Sequence, residues 1–300
     1  MEGSVVVAAS RTQNTLRLTT RTTMAARNAR QCRDFLEAGS SNGYGNNGCL
    51  QARSGMTCKS CAPTAMLPKD VEDASQKTML GSAPIRYPHS PHLPWSPGYD
   101  EQEDLILCSA ALEGWKGKEV VITEKMDGEC TTLTKDYMHA RSPNYSPHPS
   151  RTRMRAEWGR VRNDIPPGWK VLLENVSAKH SIGYTDLPSY FLVFSIWEEN
   201  GLALSWDGTE FWCQLLGLCT VPVLWRGVWN KDKCHEVIAG LDLERQEGIV
   251  VRPAGAFRFG QIQDTRGGVL GKWVRKGHVT TDEHWLSRPV EWNKLRGQDE

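Results

Sequence analysis

The sequence predicts an α+β fold, antiparallel sheets flanked by helices. Three observations carry this. Short β-branched and aromatic runs recur at 120–123, 130–133, 169–173, 190–197, 248–252 and 271–275, each bounded by turn-forming or charged residues. Helical stretches fall between them at irregular intervals, without the strand–helix–strand alternation of a parallel sheet. All twelve tryptophans lie beyond Pro94, which puts the folded part of the chain there.

At 300 residues the chain has room for one large domain or two small ones. A net charge of +1 is close to neutral, so a nucleic-acid partner needs a local basic face. No apolar run approaches the roughly 20 residues of a membrane span, and no membrane partner is expected. Nine cysteines, an odd number scattered through the chain, argue against a disulfide framework and for an intracellular, reducing compartment. Cys58-Lys-Ser-Cys61 is half of a zinc pattern with no second Cys-x-x-Cys, leaving Cys32 or Cys49 as the residues that could complete it.

Taken in order, residues 1–80 do not read as a domain. No acidic residue occurs between Glu2 and Asp34, while Arg11, Arg17, Arg21, Arg27, Arg30 and Arg33 alternate with Ser, Thr and Ala. That is the composition of a mitochondrial or plastid transit peptide; a disordered extension of a cytoplasmic or nuclear protein is the other reading. The Gly/Asn/Ser-rich stretch 38–55 cannot bury enough apolar surface to offset its ordering and reads as linker. The domain is expected over 81–288, with 289–300 as a short tail. Residues 87–98 carry too many prolines for helix or central strand and should lie as an extended strap. Residues 104–112 have helical character.

The chain is organised around Val120-Val-Ile-Thr-Glu-Lys125-Met-Asp-Gly-Glu129. The apolar run reads as a buried strand that delivers Glu124 and Lys125 to a turn at Asp127-Gly128. A lysine there can be desolvated and flanked by cations, both of which favour the nucleophilic neutral amine. A solvated lysine beside a hairpin turn is the ordinary alternative. A return strand follows at 130–133. The stretch 151–162 holds five arginines with Met154, Trp158 and Val161 at helical spacing, either an amphipathic helix with a solvated face or one that faces phosphates. Buried strands follow at 169–173 and 190–197. Asp207 is placed to cap a helix running to Leu216, another helix spans 232–241, and short strands come at 248–252 and 271–275.

Several short motifs now fall in one order. Glu124-Lys-Met-Asp-Gly-Glu129 resembles the nucleotidyl-lysine motif of the ATP-dependent RNA ligases, in the covalent nucleotidyltransferase superfamily of RNA ligases, DNA ligases and mRNA capping enzymes. His139-Ala-Arg-Ser142 is similar to the next RNA-ligase element. Leu173-Glu-Asn175 resembles the ribose-binding motif, Phe191-Leu-Val-Phe-Ser-Ile-Trp197 the strand whose aromatic stacks on adenine, Glu247-Gly-Ile-Val-Val-Arg252 the metal-placing motif, and Lys272-Trp-Val-Arg-Lys276 the closing basic motif. The flanks at 87–98 and 278–285 are similar to RNA ligases too.

The resemblance implies a ligase-type nucleotidyltransferase domain with ATP bound between its sheets. It implies Lys125 as nucleophile, with Lys272 and Arg275 as catalytic cations. Glu124, Asp127, Gly128, Arg141, Glu174, Phe194 (less favoured, Phe191), Glu247 and Lys276 would bind the nucleotide, and Glu247 with Glu174 would hold Mg²⁺ or Mn²⁺. The closing motif departs from the family's spacing, so Arg275 and Lys276 compete for one role. His180, His284 and Trp197 read as structural. The implied activity seals RNA 5′-phosphate and 3′-hydroxyl ends through lysyl-AMP. A DNA ligase or capping enzyme is the near alternative, expected to add an OB-fold for which 15–25 C-terminal residues leave no room. A non-catalytic nucleotide- or RNA-binding descendant is the distant one. An enzyme that adenylates itself and relies on an accessory protein for RNA binding also fits.

Overall fold

The computed structural model describes residues 84–100, 102, 104–141, 148–277 and 289–298. The expectations for residues 1–80, for Cys58 and Cys61, and for 278–285 lie outside these. Among the described residues, fifteen α-helices and strands follow one another. They are α1 (Ser109–Trp115), β1 (Glu119–Lys125), β2 (Glu129–Leu133), β3 (Met138–Ala140), α2 (Thr152–Val161), β4 (Lys170–Asn175), β5 (Phe191–Trp197) and β6 (Leu202–Ala203). Then come α3 (Trp206–Leu216), β7 (Cys219–Thr220), β8 (Val223–Val228), α4 (Lys231–Ala239), β9 (Gly248–Pro253), β10 (Phe257–Arg258) and β11 (Gly271–Val274).

Two open sheets result. One has the order β11-β9-β1-β8, antiparallel throughout. The other has the order β10-β6-β5-β4-β2-β3, also antiparallel, with β7 added parallel to β5. The apolar runs of β1, β4 and β5 are continuous rather than alternating because both faces of each sheet are covered. In β1, Val120 and Ile122 pack outward with Ala111 and Trp115 of α1 and Cys234 of α4, while Val121 packs with Val176, Leu192 and Trp206. In β4 and β5, Leu173 and Val193 pack with Met154 of α2 and Cys213 of α3, while Leu172 and Leu192 belong to other clusters. Each of these fully buried aliphatic side chains contributes on the order of 1.5–3 kcal/mol of transfer free energy.

Local chemistry moved some boundaries. The first helix begins at Ser109, not near 104, because residues 104–107 are spent pairing with the strap. Leu107 N–H donates to His92 O and His92 N–H to Leu105 O. The strap is extended as expected and runs beside β11, with Leu93 N–H on Lys272 O at 2.7 Å and Lys272 N–H on Pro91 O at 2.8 Å. Helix α3 is capped by Ser205, whose Oγ accepts the Gly208 N–H, so Asp207 sits in the first turn instead of capping. Its end at Gly217 is left-handed, φ 64°, as a glycine C-cap allows. The strand β8, edge of the first sheet, was not expected at all. Its sequence Val-Leu-Trp-Arg-Gly-Val has neither clean alternation nor a turn signal on both sides.

Candidate active site

Strand β1 ends at Lys125, and its register with β9 sets Gly248 opposite that lysine. Glu247, one residue before, therefore stands at the end of the ladder, with its carboxylate 2.5 Å from Lys125 Nζ. Thr123, Val250 and Lys272 form the neighbouring row across β1, β9 and β11. Period-two alternation brings Thr123 and Lys125 to one face, the one turned to the second sheet. From that sheet come Cys130 of β2, Glu174 of β4 and Phe194 of β5, with Arg141 just past β3. The two sets of residues enclose a cleft of about 540 Å³.

Of the residues singled out in the sequence, Glu124, Lys125, Gly128, Arg141, Glu174, Phe194 and Lys272 line this cleft. Phe191 does not; it packs in the core between the second sheet and α2 and α3. Glu247 enters through its contact with Lys125. Asp127 is a brace: its Oδ2 accepts the N–H groups of Ser181 and Ile182, both at 2.8 Å, and its own N–H donates to Tyr184 Oη at 2.9 Å. Arg275 and Lys276 are absent from the lining. Strand β11 stops at Val274, and the alternation that aims Lys272 inward is lost beyond it. Arg275 instead donates its backbone N–H to Glu247 O, and Lys276 is exposed in a turn. His180 lines the cleft, and Trp197 is buried in the core.

The electrostatics correct one expectation. Burial disfavours charge on Lys125, but the adjoining Glu247 carboxylate, with Glu174 and Asp127 beyond it, outweighs burial and raises the pKa above the ordinary lysine value. Acids, not cations, dominate its surroundings, and the pairing with Glu247 favours the charged form. Glu174 is pushed up to about 8 by burial, with Glu247 and Asp127 adding and Lys125 and Arg141 opposing. Lys272 lies below the usual lysine range, first through burial and then through the like charges of Lys125 and Arg141, with Asp104 opposing. Burial also raises Glu124, which accepts a hydrogen bond from Gln246 Nε2 at 3.0 Å.

Sequence reasoning missed several members of the site. Glu129 and Arg151 line the cleft as a buried bidentate pair, with Arg151 Nε on Oε2 at 2.8 Å and on Oε1 at 3.0 Å. Asp104 Oδ1 lies 3.3 Å from Lys272 Nζ. Tyr87, from the strap, accepts Arg141 Nε on its carbonyl at 3.2 Å and sets its ring 5.4 Å from that of Phe194. Arg252, on β9, crosses to the second sheet: Nη1 donates to Phe194 O at 2.9 Å and Nη2 to Leu204 O at 2.8 Å, and burial lowers its pKa to about 10. Of these, Glu129 and Arg252 close quoted motifs and Tyr87 lies in the flank 87–98, but no signal in the sequence gave any of them its contact here.

The arginine-rich helix is largely a structural tie. Arg151 is held by Glu129; Arg160 donates to Leu216 O and Gly217 O at the C-terminus of α3; Arg153 lies over the rings of Tyr190 and Trp292, and Arg162 over Trp158. The five described cysteines, Cys108, Cys130, Cys213, Cys219 and Cys234, are free thiols. Among the described residues no helix is long and apolar enough to cross a membrane.

The RNA ligase family model matches residues 118–274, more than half of the chain. No curated protein matches by sequence. Among solved structures, an archaeal ATP-dependent RNA ligase is similar at 16% identity and TM-score 0.41, covering 58% of this chain and 46% of that one. A lysine-to-alanine variant of Naegleria gruberi RNA ligase with ATP and Mn is similar at 15% identity and TM-score 0.39, covering 56% and 52%. A protein from Aquifex aeolicus assigned as an ATP-dependent DNA ligase is similar at 18% identity and TM-score 0.40, covering 61% and 50%. The alignments thus span about half the length of each of these relatives.

Proposed function

The chain belongs to the RNA ligase family, and from that premise we propose that it is an ATP-dependent RNA ligase acting through a covalent lysyl-AMP on Lys125. The observation that carries this reading is the position of Lys125. Its amine opens on a cleft with Lys272 and Arg141 for phosphate oxygens and the half-buried Phe194 for an adenine face. In the first step the Lys125 ammonium leaves Glu247 and gives a proton to solvent, and the amine attacks the α-phosphorus of ATP. A P–N bond forms, and the bond to the pyrophosphate oxygen breaks. In the second, a 5′-phosphate oxygen of RNA attacks that phosphorus, the P–N bond breaks and the electron pair returns to lysine. In the third, a 3′-hydroxyl attacks the 5′-phosphorus, a phosphodiester forms and AMP leaves. The chain supplies positioning and charge for each displacement.

The residues fit a divalent cation. Glu174 and Glu247 are neighbouring carboxylates; burial is the main reason Glu174 is raised, and the nearby Glu247 and Asp127 carboxylates add to it. Among the described residues no three metal-type side chains converge. Mg²⁺ tolerates that well, since it binds through one or two carboxylates and completes its shell with phosphate and water. Bound there, the ion would supply charge neutralisation on the phosphates. Without it, Glu174 in its protonated form can donate a hydrogen bond, which suits a ribose hydroxyl.

Incubation of the full chain with α-labelled ATP and Mg²⁺ should give an adduct stable to alkali and labile to acid, mapping to Lys125. Lys125→Arg keeps charge and volume but cannot attack, because guanidinium stays protonated. Adduct should vanish in it, while sealing of pre-adenylated RNA survives in part. Label persisting in that variant would overturn the proposal. Competition between nicked RNA and nicked DNA decides the substrate, with RNA expected to win. The expected RNA carries 5′-phosphate and 3′-hydroxyl ends, and addition of a partner fraction tests whether an accessory protein supplies RNA affinity.

A further inference from the structure

Resting on the lysyl-AMP reading, we infer that the C-terminal strap, residues 289–298, is a positioning element for nucleotidyl transfer, acting through Asn293 on the turn that holds Lys125. It was expected to be a short tail. Asn293 is 3% exposed and hydrogen-bonds to one loop, residues 176–187. Its Oδ1 accepts the Tyr184 N–H at 2.9 Å, its Nδ2 donates to Val176 O at 2.8 Å, and its backbone N–H donates to Ser177 O at 3.0 Å. One amide side chain therefore joins the two limbs of that loop.

The backbone continues the clamp on both sides. Lys179 N–H donates to Glu291 O at 2.8 Å, Lys294 N–H to Tyr184 O at 2.9 Å, Leu187 N–H to Lys294 O at 3.2 Å and Arg296 N–H to Leu187 O at 2.9 Å. The strap thus threads the loop as an extra strand would, leaving it little freedom. The outer end is held as well, with Trp292 under the Arg153 guanidinium at 4.3 Å and Lys179 paired to Glu291 at 2.7 Å.

The inner side of the same loop grips the lysine turn. Ser181 and Ile182 N–H groups meet Asp127 Oδ2, and Tyr184 Oη accepts the Asp127 N–H. Asp127 follows Lys125 by two residues. A path of direct bonds therefore runs from Asn293 through Tyr184 to Asp127, and the lysine that must reach an in-line position sits at its end. Attack on phosphorus is steep in geometry, so slack anywhere on this path should appear in the step where Lys125 is the nucleophile.

The test uses Asn293→Ala and Tyr184→Phe in the full chain, with two activities measured side by side. Loss of in-line geometry should lower the rate constant for lysine adenylation about a hundredfold with a smaller change in the ATP concentration at half-saturation. Sealing of pre-adenylated RNA, which does not need Lys125 to attack, should stay within a fewfold of wild type. A merely structural role would lower both activities together, in step with the loss of folded protein, and that result overturns the inference. So does full adenylation in a folded Asn293→Ala. Should Asn293→Ala fail to fold, Tyr184→Phe, which keeps the ring and removes only the acceptor for the Asp127 N–H, decides alone by the same split. Absence of adenylation in the wild-type chain would instead reject the lysyl-AMP reading.

Discussion

Lys125 Nζ and the Glu247 carboxylate stand 2.5 Å apart at the ends of two adjacent antiparallel strands. The pairing fixes the place of the Lys125 amine in the cleft and favours its charged form. Glu247→Gln and Glu174→Gln keep shape and remove charge from the two sides of the cleft. Each should lower lysine adenylation on the order of a hundredfold, the scale of about 3 kcal/mol of lost transition-state contact. Wild-type rates of labelled adduct in both variants would show that these carboxylates are structural.

Asp104 is the counter-ion that keeps Lys272 charged. Burial first, and then the like charges of Lys125 and Arg141, push the Lys272 pKa down. Asp104 opposes them and lies 3.3 Å from both Lys272 Nζ and His92 Nε2. A lysine with a lowered pKa keeps its charge below that pKa and loses it as pH rises through it. Asp104→Asn lowers the pKa further, so the alkaline limb of the adenylation profile should move to lower pH. An unmoved limb in a folded variant removes Lys272 from the phosphate-binding role.

Arg252 should matter for stability before it matters for chemistry. Replacement by Met leaves the carbonyls of Phe194 and Leu204 buried without their donors, a loss of about 3 kcal/mol in denaturant unfolding. Arg252→Lys should fall between, because one ammonium cannot span both carbonyls in the geometry of the guanidinium. Half-saturation by ATP should weaken in parallel, since Phe194 offers the adenine face. Unchanged unfolding midpoints would contradict this.

Gly128 is required for close approach and not for a special backbone angle. Its φ is not among the positive ones, and an added Cβ would sit 2.6 Å from Asn175 O and 2.9 Å from Val176 Cγ1. Gly128→Ala should force β2 away from β4 and cost roughly 1–3 kcal/mol, as overpacking does, with adenylation falling at least in proportion. Gly117→Ala is the contrast: its site is open but φ is 73°, so it should cost about 1–2 kcal/mol of strain and leave the adenylation rate of the folded protein unchanged.

What the sequence made legible was what lies close together along the chain. The lysine strand and the antiparallel sheets follow from short apolar runs bounded by turns, and the glutamate one step before β9 from the resemblance of Glu247–Arg252 to the ligase motif. Phe194 is separated from Phe191 by parity: the two stand an odd number of positions apart on one strand, so one enters the core and the other the cleft. The remainder of the site depends on distance in sequence. Glu129 meets Arg151 across 22 residues, Asp104 meets Lys272 across 168 and Asn293 meets Val176 across 117. No local pattern encodes such contacts, and composition could not choose between a solvated and a phosphate-facing side for the arginines of 151–162, which are mostly committed to carbonyls, rings and a carboxylate. The charge state of Lys125 was misjudged for the same reason: the nearest acids come from other strands.

The guanidinium bridge of Arg252 has one more consequence. It fastens β9 of one sheet to the carbonyls of Phe194 and Leu204 of the other, so at that point the sheets part only by giving up two hydrogen bonds. Displacement of β9 relative to β5 is resisted where Phe194 lines the cleft, and that ring keeps its height in the cleft wall.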